Sequence, residues 1–406
     1  MRTAERPAPG PEAEASREEE RARIRRGLTY CLWVFLGLRV GLSAVALAGV
    51  GLLPSIDNAV GPPGWPASEV IPGWHNLVTA WERFDALWFL RIATDGYVDG
   101  DGSAVFFPLF PLLIRGLSPI LGGHPLAAGF LVSHAATFGS MVALYFLTTG
   151  EFDERTARRT VLYLALFPTS FFLLAPYSES LFLLLALVSL WAARRRWWWA
   201  AGLAGAAASA TRNLGVLLVI PLAVEAVHQW RERRNTRHLV VALSWSALAA
   251  TGALAYLAYW QWTAGDALAP IHQQENWQRE GSFPLATVIR ATVEAFRFVG
   301  QYPGGYHLLD WLVTLPSILA IVWLVLRARP VFSAYAVVMV AAPLSYVFIP
   351  RPFMSLPRFL LVVFPILWPW AVVGLRRRGL HEVVVAVSAG LLVLLAVLFV
   401  NWYYVF

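Results

Sequence analysis

The chain has 406 residues, 58% of them hydrophobic and 14% charged, against roughly 25% charged in soluble globular proteins. Mean hydropathy is +0.58, and Trp, Tyr and Phe make up 14% of the residues. These values exclude a disordered chain, a nucleic-acid-binding domain and an ordinary cytosolic enzyme. They point to an all-α polytopic membrane protein, because each span needs about 20 apolar residues. The net charge of +7 is carried by Arg without any Lys. In such a protein positive charge reports orientation first. The single Cys, Cys31, leaves no disulfide framework and no cysteine zinc site.

In chain order, residues 1–27 read as a polar, disordered cytoplasmic tail that ends in Arg21, Arg23, Arg25 and Arg26. The transmembrane unit follows over 28–406. Its apolar runs fall near 28–53, 124–149, 159–175, 177–193, 198–211, 214–230, 239–262, 308–326, 331–349, 359–375 and 381–403, which makes eleven spans. With the N-terminus inside, the inner connections carry Arg155/Arg158, Arg194–Arg196, Arg231/Arg233/Arg234/Arg237, Arg327/Arg329 and Arg376–Arg378. Every inner connection is therefore basic, as the positive-inside rule requires. Two outer loops are long, about 54–123 and 263–307. Loops of that length that are rich in Trp, Phe, Pro and His are functional candidates. Chemistry is expected on the outer face.

The first outer loop contains two amphipathic stretches, Trp81–Ala93 and Phe106–Leu121. As a helix, the first aligns Trp81, Phe84, Trp88 and Ile92 on one face suited to the membrane interface. Asp85 then stands at the membrane lip, where partial desolvation suits a general base. The competing reading is a solvated Asp on an interfacial helix. Pro108 and Pro111 in the second stretch cannot both sit inside a regular helix, so they mark a helix start with a structural role. The acidic turn Asp95, Asp99, Asp101 lacks the ligand spacing and the closing Glu of a calcium loop and reads as solvated.

Further along, Ala175-Pro176-Tyr177-Ser178-Glu179-Ser180 makes a tight outer turn in which Glu179 opens a span. A membrane-lip acid is functional by default, although a carboxylate at a helix start is also favoured by the macrodipole. Thr211-Arg212-Asn213-Leu214-Gly215 interrupts two short apolar runs, which places Arg212 at or below the outer headgroups. It needs an anion there, either Glu179 or a lipid phosphate, which Arg grips bidentately. Arg358 in Leu356-Pro357-Arg358-Phe359 is similar: a phosphate ligand or a snorkelling anchor. Arg39, inside the first span, needs a buried partner. His134 reads as a satisfied core histidine.

The runs FDALWFLRIATDGY, AVFFPLFPLL, APYSESLF and ATRNLG, in that order over about 81–215, resemble the PIG-V-like mannosyltransferases of the GT-C superfamily of polytopic glycosyltransferases. Weaker similarity continues through Gly265-Asp266, Gln273-Gln274, Trp277, Arg279 and LPRFLLVVFP. The resemblance implies a GT-C-like fold and a polyprenyl-phosphate mannose donor used on the extracytoplasmic face. The acceptor would be a lipid-linked or other glycoconjugate, and no cofactor or metal would be needed. It also implies an essential Asp in the first outer loop, the place Asp85 occupies. The family often has Trp-Asp there, whereas Phe84-Asp85 keeps the acid and loses an indole N–H. Asp85 would act as the base of an inverting transfer, and Arg212 and Arg358 would hold the phosphate. Glu179, Trp81, Trp88, Arg91 and Tyr177 complete the substrate-binding candidates. A transporter or flippase of lipid-linked sugars is the alternative, and a non-catalytic assembly subunit is a third reading. Neither needs a membrane-lip Asp in an aromatic outer loop.

Overall fold

The computed structural model describes residues 11–55, 61–65, 73–274, 278–302 and 304–405, with side chains from Arg17 onward. Residues 1–10 of the expected tail, part of the expected first outer loop and Trp277 lie outside the described residues. The architecture is all-α, with one small two-stranded sheet. Helix α1 (Pro11–Leu52) starts inside the polar segment expected to be a disordered tail. Residues 11–26 are mostly Ala, Glu and Arg, which are strong helix formers, so the apolar span is extended at its polar end.

The elements that follow are α2 (Asn76–Thr79), α3 (Asp85–Asp95), α4 (Leu109–Leu117), α5 (Pro125–Glu151), α6 (Glu154–Ala165), α7 (Phe171–Leu174), α8 (Glu179–Arg194) and α9 (Trp198–Thr211). After them come α10 (Val219–Arg233), α11 (Thr236–Leu248), α12 (Thr251–Ala264), α13 (Ala269–His272), β1 (Arg279–Gly281), α14 (Pro284–Arg297) and α15 (Gly304–Arg327). The chain closes with α16 (Pro330–Leu344), β2 (Tyr346–Phe348), α17 (Leu356–Leu360), α18 (Leu367–Arg376) and α19 (Arg378–Val400). Among the described residues, five helices are long and apolar enough to cross a membrane: those over 17–52, 125–151, 213–233, 304–327 and 378–400. The pair α11 and α12, bent by 40°, makes a sixth. The protein is a multi-pass membrane protein.

Three of the expected spans are broken or cut short. The run expected over 159–175 ends as helix at Ala165 and resumes only as the one-turn α7, with Pro168 between them. The run over 331–349 ends at Leu344, one residue after Pro343, and the chain passes into β2. The run over 359–375 is divided between α17 and α18 by a turn containing Pro365. Proline removes an amide donor and cannot continue a regular helix without distortion. Apolarity alone did not reveal these breaks.

Small residues set the closest helix contacts. A Cβ on Gly252 would lie 2.0 Å from the Ala206 carbonyl oxygen, and one on Gly205 would lie 2.5 Å from the Ala249 Cβ. The backbones of α9 and the bent α11–α12 pair therefore touch directly, a packing mode that suits helices in lipid. At one end of the bundle, Arg194 pairs with Glu151 at 2.8 Å and with Glu225 at 3.2 Å, and Arg329 reaches Glu151 at 3.7 Å. Glu179 begins α8 and Arg194 ends it. At 1.5 Å per residue these two sit about 22 Å apart along the helix, so the Arg-rich connections and Glu179 occupy opposite ends.

Candidate active site

At the Glu179 end, the turn before α3 is held rigidly. Arg83 is fully buried and donates from Nε to the Val400 carbonyl at 3.1 Å and from Nη1 to the Thr79 and Glu82 carbonyls. The Tyr177 hydroxyl donates to the Arg83 carbonyl at 2.8 Å. Phe84 follows with φ 51°, a strained value for a bulky side chain. Its ring is fixed by Phe399, Trp402 and Tyr404 at centroid distances of 5.2–5.6 Å. The strain ends the preceding turn and makes Asp85 the first residue of α3. Its carboxylate thus stands at the positive end of a helix dipole.

A chain of charge-assisted bonds runs inward from Asp85. Arg358 Nη1 donates to Asp85 Oδ2 at 2.5 Å, and Arg358 Nε donates to Glu179 Oε1. Arg212 Nη1 lies 2.6 Å from the same Glu179 oxygen and donates to Ser178 Oγ at 3.1 Å. Arg358 also stacks over the rings of Phe172 and Tyr177, at 4.9 and 4.7 Å. Side-chain exposure is 23% for Asp85, 11% for Arg212 and Arg358, and 0% for Glu179. Asp85 is therefore the mouth of the cluster and Glu179 its floor. Two atoms, Glu179 Oε2 and Arg212 Nε, are buried without a hydrogen-bond partner among the described residues: one acceptor and one donor in the same cluster.

Each arm of the cluster is set by local sequence. Pro176 keeps the Tyr177–Ser178 turn out of helix, so α8 starts on Glu179. Helix α9 stops at Thr211, and Arg212 is extended at φ −152°. Gly215 turns the chain against that helix end: a Cβ there would sit 2.4 Å from the Ala208 oxygen. Arg358 rides on α17, whose first turn contains Pro357.

Two groups that were not among the candidate site residues border the cluster, although Arg279 lies in the weaker part of the family resemblance. Arg279, on β1, donates from Nη2 to Ser355 Oγ at 3.2 Å and stands over the Phe359 ring that also flanks Arg212. The antiparallel pairing of Arg279 with Phe348 holds it beside the segment leading to Arg358. The second group is a buried ion pair, Arg351 to Asp310, at 2.6 and 2.8 Å. Arg351 Nη2 also donates to the Val405 carbonyl at 2.7 Å, which fixes the segment carrying Tyr404, whose ring packs on Phe84 beside Asp85. Neither lies in a dense motif. The signal available was a lone charge in an aromatic or apolar setting, which for Asp310 meant an acid inside an apolar run.

The structure brings Asp85, Glu179, Arg212, Arg358 and Tyr177 together and places the other three candidates elsewhere. Trp81 is fully buried against Phe171 and Phe399. Trp88 stacks on Phe106 at 5.3 Å in a second core. The expected single helical face of Trp81, Phe84, Trp88 and Ile92 does not form, because α3 begins only at Asp85 and both indoles turn inward. Arg91 is buried in an ion pair with Asp101 instead of facing the cluster. Asp101 also accepts from the Ser103 amide at 2.7 Å, and Asp99 accepts from Gln273, so the acidic turn is pinned rather than simply solvated. His134 hydrogen-bonds the Phe130 carbonyl at 2.7 Å inside the bundle. Arg39 finds the Leu77 carbonyl at 3.0 Å. Between α12 and α13, a hydrogen bond from His272 holds Asp266 below the usual carboxylate range. Among the described residues no three His, Cys, Asp or Glu side chains gather as a metal site would need.

The sequence pattern of the family Mannosyltransferase (PIG-V) matches residues 46–283. The chain belongs to this family. The match takes in Asp85, Glu179, Arg212 and Arg279 but stops short of Arg358. No curated protein sequence matches the chain. Among solved structures it is similar to ArnT from Cupriavidus metallidurans bound to undecaprenyl phosphate, at 16% identity and TM-score 0.48, covering 88% of this chain and 63% of that one. It is also similar to the Archaeoglobus fulgidus oligosaccharyltransferase AglB in complex with an inhibitory peptide and a dolichol-phosphate. There the identity is 12% and the TM-score 0.38, covering 92% of this chain and 56% of that one. The chain thus spans less than two thirds of the length of either structure.

Proposed function

We propose that this protein transfers a mannosyl residue from polyprenyl-phosphate mannose to a glycoconjugate acceptor, with inversion at the anomeric carbon. Family membership supports the sugar. The observation that carries the reaction is the continuous Asp85–Arg358–Glu179–Arg212 chain at one end of the bundle. In this reading the prenyl chain lies in the bilayer and the phosphate reaches the cluster from the membrane side. The acceptor hydroxyl attacks the anomeric carbon and gives its proton to Asp85. The bond from the anomeric carbon to the phosphate oxygen breaks, and polyprenyl phosphate departs with one more negative charge than the donor phosphodiester carried. Arg358 and Arg212 oppose that developing charge, which is the electrostatic form of catalysis. Glu179 keeps both guanidiniums in place and offers Oε2 to a sugar hydroxyl. Tyr177 braces Arg358 through its ring and the Asp85 turn through its hydroxyl.

The topology belongs to the same proposal. The eleven apolar segments, including the broken ones, thread the cell membrane with the N-terminus in the cytoplasm. The cluster then faces outward, opposite the Arg-rich connections. The test is transfer of radiolabelled mannose from polyprenyl-phosphate mannose by purified protein. Asp85→Asn should lower the rate by about 10²–10⁴-fold, the usual contribution of a general base, with the protein still folded. Near-normal transfer by this variant would remove Asp85 from the mechanism. Movement of the lipid-linked sugar across the bilayer without covalent product would favour a flippase.

A further inference from the structure

Three guanidiniums meet at the site, but only two carboxylates do. Glu179 and Asp85 face Arg212 and Arg358 in the bonded chain. Arg279 is the third cation. Among the described residues it pairs with no carboxylate. Its Nη2 donates to a neutral hydroxyl, Ser355 Oγ, at 3.2 Å. Its strand neighbour Glu280 is exposed, and successive strand residues point to opposite faces. Arg279 therefore does not resemble Arg83, whose guanidinium is bonded to main-chain carbonyls of Thr79, Glu82 and Val400.

The position is built. Register with β2 sets Arg279 opposite Phe348. Ser355, its partner, is held in the left-handed region at φ 66° as the residue before α17. The guanidinium carbons of Arg279 and Arg212 both stand over the Phe359 ring, 5.8 and 5.5 Å from its centroid. Arg279 also lies within electrostatic range of Asp85 and Arg358. An uncompensated guanidinium in a partly buried cluster is costly unless an anion completes it, and its planar fork matches phosphate oxygens.

We propose that Arg279 is the principal ligand of the donor's phosphate, with Ser355 orienting its fork, while Arg212 and Arg358 are tied mainly to Glu179 and Asp85. This rests on the proposed function and names the phosphate subsite within it. Charge explains the division. The bonded chain is neutral as a set, so the attraction that captures an incoming phosphodiester comes from Arg279. After transfer the same residue holds the polyprenyl phosphate, which makes it a determinant of product release.

The test is binding, read separately from catalysis. Purified full-length protein is titrated with polyprenyl phosphate, with polyprenol of the same length and with inorganic phosphate, and protection against thermal unfolding is measured. Wild type should be protected by polyprenyl phosphate, with little effect of the alcohol or of inorganic phosphate at the same concentration. Arg279→Gln should weaken polyprenyl phosphate binding about 10- to 100-fold, the loss expected for a charge-assisted hydrogen bond. Arg279→Lys should recover part of that loss, since it keeps the charge and loses the fork, and Ser355→Ala should lose less than Arg279→Gln. In transfer assays Arg279→Gln should raise the donor KM more than it lowers kcat. If Arg279→Gln misfolds, Arg279→Lys and Ser355→Ala decide the matter. Wild-type affinity in both overturns the assignment, as does equal protection by inorganic phosphate, which would reassign the site to a soluble anion. If wild type transfers mannose and Arg279→Gln keeps its donor KM, the subsite fails while the proposed function stands. Arg279-dependent lipid-phosphate binding without any transfer sinks the function and keeps the subsite.

Discussion

Glu179→Gln separates what the cluster contributes to stability from what it contributes to chemistry. Glu179 is fully buried and receives both Arg212 and Arg358 on Oε1. Gln keeps an acceptor oxygen and nearly the same volume, so the packing survives and the charge does not. Arg212 then has no carboxylate among the described residues, whereas Arg358 keeps Asp85 at 2.5 Å. Removing one partner of a buried pair costs about 3–5 kcal/mol, because the other charge stays buried and unpaired. Asp85→Asn is the contrast. Its side chain is 23% exposed and both guanidiniums keep Glu179, so its loss should cost on the order of 1 kcal/mol. In thermal unfolding of the detergent-solubilised protein, Glu179→Gln should therefore lower the midpoint clearly more than Asp85→Asn. The transfer rate of Asp85→Asn should nevertheless fall furthest. Adding Arg212→Gln to Glu179→Gln should restore part of the lost stability. Equal destabilisation by Asp85→Asn and Glu179→Gln would refute the division between mouth and floor. No recovery in the double variant would refute the unpaired-charge argument.

The Arg351–Asp310 pair should behave as a unit: Arg351→Met or Asp310→Leu alone should destabilise by about 3–5 kcal/mol, and the double variant by less than either, as read in a double-mutant cycle of unfolding midpoints. Tyr177→Phe removes the bond to the Arg83 carbonyl and should cost about 1 kcal/mol. It should also reduce transfer, because the same bond braces the turn before Asp85; an unchanged rate would make Tyr177 a packing residue only. Gly252→Val should abolish the folded protein, since even a Cβ would lie 2.0 Å from the Ala206 oxygen. A monodisperse Gly252→Val preparation eluting like wild type would contradict the close backbone contact of α9 and α12.

Much of this was legible in the sequence because membrane segments write their burial in composition. The apolar runs located most of the helices, and the few charges left at one set of their ends, Asp85, Glu179, Arg212 and Arg358, converge in space. The misplaced residues fail for local reasons. The face drawn through Trp81 and Trp88 assumed helical periodicity across Phe84, and a positive φ at a Phe is not a sequence signal. Arg91 was drawn to the site by its motif, while its partner Asp101 lies ten residues on, in a turn that read as solvated. Arg279 stood in the weaker part of the family resemblance without a role, because its place beside the cluster depends on pairing: β1 is three residues long, and its partner β2 lies beyond α14, α15 and α16.

The low charge content acquires a physical division of labour. At the end of the bundle opposite Asp85, Arg194 and Arg329 face Glu151 and Glu225, two cations against two anions. Arg91 faces Asp101 and Arg351 faces Asp310, one against one. Balanced pairs of this kind lock helices and loops together and attract nothing. The cluster on α3, α8, α17 and the α9 end, with Arg279 beside it, breaks the pattern with three cations against two anions. A ligand that binds only the folded protein stabilises it by mass action. On the proposed assignment, Arg279 is thus the residue through which polyprenyl phosphate would most strengthen the fold. A rise in unfolding temperature with polyprenyl phosphate that disappears in Arg279→Gln but persists in Asp85→Asn is the signature that separates an anion-binding cluster from a structural one.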